Sequence, residues 1–333
     1  MITSKRKFGI EIEFSAPTAT ALRKISDAIT VVRDGSLDTL RNAGEHVSQI
    51  LQGQQGESHI HQACEILKKN KADTPTPETS IHVHLDGQSK GGELRSSRLR
   101  PTMNDRLIFG VSNKLKDVMS VQNITNALLG GFHPTKAYKY VSKFEGITYY
   151  SLAELTRAPK LNYTYYWIEK PNRFNWLRNV FYFYTQFSDV MEDIVSNSRK
   201  FGNMYCLPLG KSYDLSVIEG AKNMQELKNV WYKGRGANGH YDDSRYHNVN
   251  LHCFWDRHGT VEIRSHGGTI DPYKILMWVK LHQKIVDKLE TMELNDIKFT
   301  GNLHKEFIDF VEEPILQEYV KRLLGYYSNI NIK

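Results

Sequence analysis

Segments in which apolar and polar residues alternate recur along this chain, and they restrict its fold more than any other feature. The first, FGIEIEF at residues 8–14, alternates four apolar residues with Gly9, Glu11 and Glu13. A period of two predicts a β-strand with one buried face. Glu11 and Glu13 then share the opposite face, where like charges on neighbouring positions repel each other. A solvated outer face explains this segment alone, whereas a cation between the two carboxylates would remove the repulsion.

Other segments repeat the alternation and add polar groups. Residues 80–86 (SIHVHLD) place His82 and His84 on the face opposite their apolar residues, and residues 44–51 (GEHVSQIL) contribute Glu45. A predicted hairpin formed by residues 245–255 and 259–268 presents Asn248, Asn250, His252, Glu262, Arg264 and His266. An ordinary outer face would mix Lys, Thr, Ser and Gln. These faces instead collect carboxylate, imidazole, amide and guanidinium groups.

That set of groups predicts a site for metal ions and phosphates. Carboxylate oxygens suit Mg²⁺ or Mn²⁺, and an imidazole fits such a site best with Mn²⁺. Arg264 follows Glu262 by two residues, so both share one face of a strand. A guanidinium can hold a phosphate with its planar fork while the carboxylate holds the metal on that phosphate. A Glu-x-Arg pair alone more often forms an ion pair, so the prediction depends on all the polar faces together.

Helical patterns separate and follow the strands. They are predicted at residues 17–30, 57–72, 106–119, 172–200, 271–290 and 304–325. The helix at 172–200 has Asn172 as its cap and many aromatic residues, which we expect in the core. Residues 87–172 are the least regular part of the chain.

Composition limits the classes of partner. A net charge of +7 and a pI of about 9.0 favour anionic ligands. The sequence has no zinc-finger pattern and no aromatic RNA-binding motif, so a nucleic-acid partner is not expected. Three widely spaced cysteines are typical of reduced thiols, and no apolar run reaches the roughly 20 residues that a membrane span needs. We expect a cytoplasmic protein without a membrane partner.

The motifs of this chain, in their order, resemble those of the amidoligase family, which are carboxylate–amine ligases with a glutamine-synthetase-like fold. They are FGIEIEF, DGSL, GEHVSQIL, HVHLD, SRKFGNMYCLPL, RYHNVNLHCFW and GTVEIRSHGGTIDPYKILMW. The resemblance spans residues 7–86 and 173–292, and its last block is the most specific. It implies an α+β fold, in which an antiparallel sheet curves into a partial barrel with helices packed outside. It also implies a catalytic domain of residues 1–86 and 173–333, interrupted by a helical and loop-rich insertion at residues 87–172.

The reaction implied by the resemblance is ATP-dependent amide formation. A substrate carboxylate is phosphorylated, and an amine then displaces phosphate from the acyl phosphate. ATP and Mg²⁺ (or Mn²⁺) are the implied cofactors, and small-molecule or peptide carboxylates and amines are the implied substrates. Phosphoryl transfer brings several anions together, so it requires divalent cations and arginines. The oligomeric state is not predicted.

The resemblance also implies roles for individual residues. The implied metal ligands are Glu11, Glu13, Glu45 and Glu262. The implied nucleotide contacts are His82, Arg199, Arg245, Asn250 and Arg264. The implied catalytic residues are Asp34, which faces the incoming amine together with Ser36, His84 beside the metal and phosphate, and Arg264.

Two departures from the family and two alternative functions stay open. The chain has Ser48 and Gln49 where family members often have Ser-Pro, and its insertion is longer than expected. These departures bear on the amine pocket more than on the ATP site.

A metalloenzyme that uses no ATP could bind Zn²⁺ or Fe²⁺ through His82 and His84. A structural or binding protein could retain the fold without turnover. A nucleotide requirement separates the first alternative from a ligase, and the intact polar set argues against the second.

Overall fold

The computed structural model describes residues 4–87 and 173–332, apart from residues 76, 201 and 257, and the backbone of three strands between those ranges. The chain divides into two compact units. The first unit comprises Met1–Gly87 and Arg173–Lys333, and the second comprises Gln88–Asn172. The side chains discussed below all belong to the first unit.

The strands of the described part are numbered in chain order. They are β1 (Phe8–Ser15), β2 (Val31–Val32), β3 (Ala43–Val47), β4 (Ser80–Asp86), β5 (Leu94–Ser97), β6 (Arg106–Val111), β7 (Thr164–Glu169), β8 (Val249–Asn250) and β9 (Thr260–Gly267). In the second unit, β7 pairs with β5 and β6 in an antiparallel sheet.

The α-helices described in the structure all belong to the first unit. They are α1 (Ala19–Ala28), α2 (Gly53–Lys69), α3 (Phe174–Gln186), α4 (Ser188–Asp193), α5 (Leu215–Gly220), α6 (Met224–Trp231), α7 (His252–Trp255), α8 (Pro272–Lys288), α9 (Leu303–Val311) and α10 (Pro314–Ser328). Among the described residues, no helix is both long enough and apolar enough to cross a membrane.

The first unit is built on a six-stranded antiparallel sheet with the strand order β2-β3-β1-β4-β9-β8. Its edge strands, β2 and β8, have two residues each. The sheet stays open and does not close into a barrel. The predicted α+β class and the predicted antiparallel sheet are therefore confirmed.

The apolar face of this sheet forms the core. Its side chains are at most 2% exposed: Phe8, Ile10, Ile12, Phe14, Ile81, Val83, Leu85, Val261 and Ile263. Helix α2 lies directly on β1, because a Cβ on Gly56 would be 2.7 Å from Cζ of Phe8. Helix α8 packs against both α2 and β4. The alternation predicted for β1 and β4 is confirmed, and their polar residues lie on the other face.

The aromatic segment predicted as one helix at residues 172–200 forms two. Helix α3 begins after Arg173, which takes the cap position, and α4 follows Phe187. The predicted cap, Asn172, lies outside the described residues. The prediction that the aromatics fill the core is confirmed, since Phe174, Trp176, Phe181, Tyr182, Phe183, Tyr184 and Phe187 are buried.

Two other helix predictions need correction. Residues 106–111 form strand β6 rather than the beginning of a helix, and residues 112–119 lie outside the described part of the chain. The helix predicted at residues 304–325 is divided into α9 and α10. Glu312 between them adopts a positive φ of 62°, and Pro314 begins α10 with a backbone nitrogen that cannot donate.

The hairpin predicted from residues 245–255 and 259–268 is much shorter than expected. Strands β8 and β9 are antiparallel, but β8 contributes only two residues because helix α7 follows it. His252 therefore belongs to a helix, where its Nδ1 lies 2.6 Å from the hydroxyl of Tyr232.

A β-bulge between β4 and β9 reverses the alternation of β9. His84 pairs with Glu262, but Ile81 pairs with His266, because β9 has one extra residue between these points. His266 therefore lies on the apolar side, with its ring 5.1 Å from that of Trp278. Burial lowers the pKa of His266 to about 4. The prediction that His266 shares the polar face with Glu262 is wrong.

Candidate active site

An open cavity of about 1110 Å³ lies on the polar face of the sheet. All of the residues to which the resemblance assigns a role line it: Glu11, Glu13, Asp34, Ser36, Glu45, His82, His84, Arg199, Arg245, Asn250, Glu262 and Arg264. The structure thus brings together residues that lie up to about 250 positions apart in the chain. Their individual roles stay predictions.

Strand register explains why the central groups meet. The cross-strand pairs are Glu13–Glu45, Glu11–His82 and His84–Glu262. Residues that are paired across antiparallel strands point to the same face. Strand β1 lies between β3 and β4, so its two glutamates are flanked by polar groups from both neighbours.

Glu11 is held by both histidines of β4. Nδ1 of His82 lies 2.8 Å from Oε2, and Nε2 of His84 lies 3.1 Å from Oε1. Burial alone would raise the pKa of Glu11, but the charge of His84 and hydrogen bonds from both histidines lower it well below its usual value. Burial would lower the pKa of His84, whereas Glu11 and Glu262 raise it to about 9. Without a metal, His84 is therefore a cation at neutral pH and offsets part of the charge of these carboxylates.

Glu262 has partners on both oxygens. Oε1 accepts a hydrogen bond from Nη1 of Arg264 at 2.6 Å, and Oε2 accepts one from Nδ2 of Asn250 at 2.6 Å. The thiol of Cys253 also donates to Oε2, at 3.3 Å. Burial would raise the pKa of Glu262, but the charges of Arg264 and His84 lower it to about 2. Glu262 is therefore an ionised carboxylate at neutral pH.

Glu13 is held by Ser80, whose backbone nitrogen and hydroxyl each donate to Oε2 at 2.6 Å. Nε2 of His82 lies 2.9 Å from the same hydroxyl. Ser80 was not predicted as a site residue. Its position two residues before His82, on the same face of β4, is the signal that could have revealed it.

Glu45 lacks partners of this kind. Its side chain is 8% exposed, and among the described residues no group forms a hydrogen bond or an ion pair with its carboxylate. Burial, followed by repulsion from Glu11, Asp34 and two further carboxylates, raises the pKa of Glu45 to about 10. The described side chains around Glu45 thus do not offset a further negative charge, and its carboxyl group is protonated at neutral pH without a cation.

Three groups of possible ligand atoms lie within 4.8 Å of one another in this cavity. They are Glu13–Glu45–His82, Glu11–His82–Glu262 and His84–Cys253–Glu262. Carboxylate and imidazole donors match the preferences of Mg²⁺ and Mn²⁺. The residues present, and Glu45 in particular, fit the predicted cations.

Arg199 and Arg245 are held in different ways. Arg199 is buried, and its Nη2 donates to the carbonyl of Thr79. Nε of Arg199 is buried without a hydrogen-bond partner among the described residues. The guanidinium of Arg245 lies over the rings of Tyr241 and Tyr246, 4.9 and 4.7 Å from their centroids. Both guanidinium groups line the cavity, where they favour anionic ligands.

Arg264 is ion-paired to Glu262 through Nη1, and its Nε lies 3.5 Å from the carbonyl of Tyr205. Nη2 of Arg264 donates to no acceptor within the part of the chain that the structure describes. The Glu-x-Arg pair is therefore an ion pair that retains one donor for a ligand.

Asp34 caps the short 3₁₀ helix Gly35–Leu37, with its Oδ1 accepting from the backbone nitrogen of Ser36 at 2.8 Å. This bond fixes the loop at the cavity wall. Asp34 therefore has a structural contact in addition to its predicted contact with the amine.

The sequence analysis missed cavity residues that come from irregular segments or from short helices. They include Tyr205, His240, Tyr241, Cys253, Asp256 and His258. His240 and Asp256 form an ion pair, with Nδ1 2.5 Å from Oδ2. Periodicity carries no information about such residues, because their positions depend on tertiary contacts rather than on a repeating backbone.

Comparison with known proteins supports the resemblance over part of the chain. A family model described as "Putative amidoligase enzyme" matches residues 168–286. No curated protein and no solved structure matches the chain. The matched segment includes Arg199, Arg245, Asn250, Glu262 and Arg264, whereas the polar residues of β1, β3 and β4 precede it. The resemblance to the amidoligases is confirmed over residues 168–286, and the family matched there is one of ligase-type enzymes.

Proposed function

We propose that this chain is an ATP-dependent carboxylate–amine ligase, with a glutamine-synthetase-like fold, that forms an amide through an acyl phosphate. The observation that carries the proposal is Glu45, a buried carboxylate surrounded by other carboxylates and without a partner among the described residues. An ionised buried carboxylate without compensation would cost several kcal/mol, roughly 3 or more, so Glu45 stays protonated at neutral pH, with a pKa of about 10. A cation that arrives with a substrate supplies the compensation that lets Glu45 ionise and bind it.

Glu11, Glu13, Glu45 and Glu262 would hold Mg²⁺ or Mn²⁺ in this account. A bound divalent cation offsets the negative charge of the phosphates and of the developing transition state. The protein side chains keep the site in place without it. Ser80 orients Glu13, the two histidines of β4 orient Glu11, and Asn250 orients Glu262.

The arginines would hold phosphate oxygens. Arg264 keeps Nη2 available beside Glu262, and Arg199 presents a buried Nε without a partner in the described part of the chain. Arg245 is immobilised by its tyrosine neighbours, so little side-chain entropy is lost when it binds an anion. Guanidinium groups fixed in this way stabilise the charge that develops during phosphoryl transfer.

Asp34 and Ser36 lie on the wall of the same cavity, and we assign them to the side of the incoming amine. We assign residues 87–172, the insertion, to substrate access. Most of these residues lie outside the described part of the chain. As the resemblance implies, we assign small-molecule or peptide groups as the carboxylate and the amine, and a cavity of about 1110 Å³ has room for both.

Hydroxylamine provides a direct test, because it attacks an acyl phosphate and yields a hydroxamate. Purified protein is incubated with ATP, Mg²⁺, hydroxylamine and pooled amino acids or dipeptides. We expect hydroxamate and ADP in equal amounts with the wild type. Glu45→Gln should abolish both, and Glu65→Gln, on the exposed side of α2, should not.

The same assay distinguishes the alternatives. Product that depends on a metal but forms without ATP would favour a metalloenzyme that uses no nucleotide. Mn²⁺ binding without any ADP or hydroxamate would favour a binding protein that retains the fold. Either result would overturn the ligase proposal.

A further inference from the structure

The thiol of Cys253 lies beside two polar side chains of the cavity, those of Glu262 and Asn250. It lies in α7, and its Sγ donates to Oε2 of Glu262 at 3.3 Å. Nδ2 of Asn250 donates to the same sulfur at 3.2 Å. Nε2 of His84 lies 3.9 Å from Oε1 of Glu262. A sulfur, a nitrogen and an oxygen atom from these three side chains all lie within 4.8 Å of one another.

These separations are close to those of a tetrahedral zinc site. Bonds of about 2.3 Å to sulfur and about 2.1 Å to nitrogen or oxygen place neighbouring ligand atoms roughly 3.3–3.7 Å apart. The distance between Cys253 and Glu262 already lies in that range. The ligand nitrogen of His84 lies within 4.8 Å of the other two ligand atoms, so it needs to move by roughly 1 Å, which rotation of its side chain can supply.

A second contact orients His84 as a ligand. Its Nδ1 lies 3.1 Å from the hydroxyl of Thr260 on the neighbouring strand. A hydrogen bond from Nδ1 to an oxygen atom fixes the ring, as in known metal sites. Nε2, which donates to Oε1 of Glu11 at 3.1 Å without a metal, becomes the ligand atom when it gives up that hydrogen bond. Nε2 is the atom that faces Glu262.

Without a metal the thiol keeps its proton, which it donates to Oε2 of Glu262. Metal binding breaks the S–H bond of Cys253 and the Nε2–H bond of His84 and forms bonds from the sulfur and the nitrogen to the metal. Both protons pass to solvent, with no change of oxidation state.

We propose that His84, Cys253 and Glu262 form a binding site for a thiophilic divalent cation of the Zn²⁺ class. Hard cations such as Mg²⁺ gain little from sulfur, whereas thiolate and imidazole select Zn²⁺. The consequence for activity rests on the proposed function, in which Glu262 is a ligand of Mg²⁺. Zn²⁺ bound to Glu262 removes that ligand and inhibits the ligase.

Co²⁺ is a suitable probe, because thiolate coordination produces a charge-transfer absorption band in the near ultraviolet. Metal-free protein is titrated with Co²⁺. We expect the band in the wild type and in the matched control Cys64→Ala, which removes a thiol from the core. Cys253→Ser should lose the band and bind Zn²⁺ at least tenfold more weakly, measured by competition with a chromogenic chelator.

Absence of the band in the wild type, or its persistence in Cys253→Ser, overturns the proposal. If Cys253→Ser does not fold, the double variant Cys64→Ala/Cys206→Ala takes its place, since Cys253 is then the only thiol in the sequence. The band must persist in that variant. Its loss there also overturns the proposal.

The hydroxamate assay separates this inference from the proposed function. A cobalt band together with hydroxamate formation that Zn²⁺ suppresses supports both. A cobalt band without any hydroxamate retains the zinc site and rejects the ligase. Hydroxamate formation without a cobalt band rejects the zinc site and retains the ligase.

Discussion

Two clusters of buried charge in the first unit are built in opposite ways. The balanced cluster contains Arg6, Arg173, Asp287 and Glu290, two cations and two anions. Arg6 binds Asp287 and Glu290 at 2.6 Å each, and Arg173 also binds Glu290. The cavity cluster contains Glu11, Glu13, Glu45, His82, His84, Glu262 and Arg264, and its carboxylates outnumber its fixed cations.

The difference separates charge that is paired within the protein from charge that, in the proposed function, a bound cation compensates. In the balanced cluster each arginine also binds the end of β4 or the residue after it, through the carbonyls of Asp86 and Gly87. The charges of that cluster are paired with one another, and only Nη2 of Arg173 is buried without a hydrogen-bond partner among the cluster's described atoms. The cavity cluster leaves Glu45 with a raised pKa, and perturbed groups of this kind concentrate at functional sites.

The largest effect is expected in the balanced cluster. Arg6→Ala leaves two carboxylates without one of their cations, so the free energy of unfolding should fall by about 3–5 kcal/mol. Urea denaturation measures the loss, and Mg²⁺ should not restore it. Arg322→Ala, which removes an exposed ion pair with Glu318, is the control and should cost less than about 0.5 kcal/mol. Equal losses in the two variants would show that the balanced cluster does not stabilise the fold.

The next effect concerns turnover. Arg264→Lys keeps the positive charge but loses the fork, so ATP-dependent turnover should fall by roughly a hundredfold while Mn²⁺ still binds. Glu262→Gln should weaken Mn²⁺ binding as well, since it removes a ligand charge. Arg235→Lys is a control, because Arg235 also pairs with a carboxylate, that of Asp242, through two of its nitrogens, but does not line the cavity. Near wild-type turnover in Arg264→Lys would show that Arg264 only pairs with Glu262 and does not hold a phosphate.

The smallest effect is an increase in stability. A carboxyl group whose pKa is raised on folding contributes stability below its unfolded pKa near 4.5, and that stability is lost as the pH rises toward about 10. Metal-free Glu45→Gln should therefore become more stable than the wild type above pH ~5, and the gain should grow steadily up to pH 9. Urea denaturation with EDTA between pH 5 and 9 tests this, with Glu65→Gln as the control. A difference that does not grow with pH would argue against repulsion at Glu45.

Local periodicity was sufficient to predict the centre of the site. Residues 80–86 were predicted as a strand with these bounds, and β4 has them. Glu11, Glu13, His82 and His84 lie on the face predicted for them, because a regular strand fixes the direction of each side chain. The apolar faces of β1 and β4 followed from the same pattern.

Periodicity failed where the backbone departs from a regular strand. The bulge in β9 moved His266 to the apolar side, and the turn into α7 placed Cys253 beside Glu262. Both features depend on strand register and on tertiary packing, and a repeating pattern of apolar and polar residues reveals neither. Glu45 was predicted as a ligand, but its lack of a counter-charge emerged only from the three-dimensional arrangement.

The central claim is that the cavity cluster is complete only with a divalent cation. Mn²⁺ titration of metal-free protein, followed by the electron paramagnetic resonance signal of the free ion, tests it most directly. We predict that the wild type and Glu65→Gln remove Mn²⁺ from solution, and that Glu11→Gln/Glu13→Gln binds it about tenfold more weakly or worse. A free-ion signal unaffected by the wild-type protein, or equal binding by the double variant, would contradict the claim.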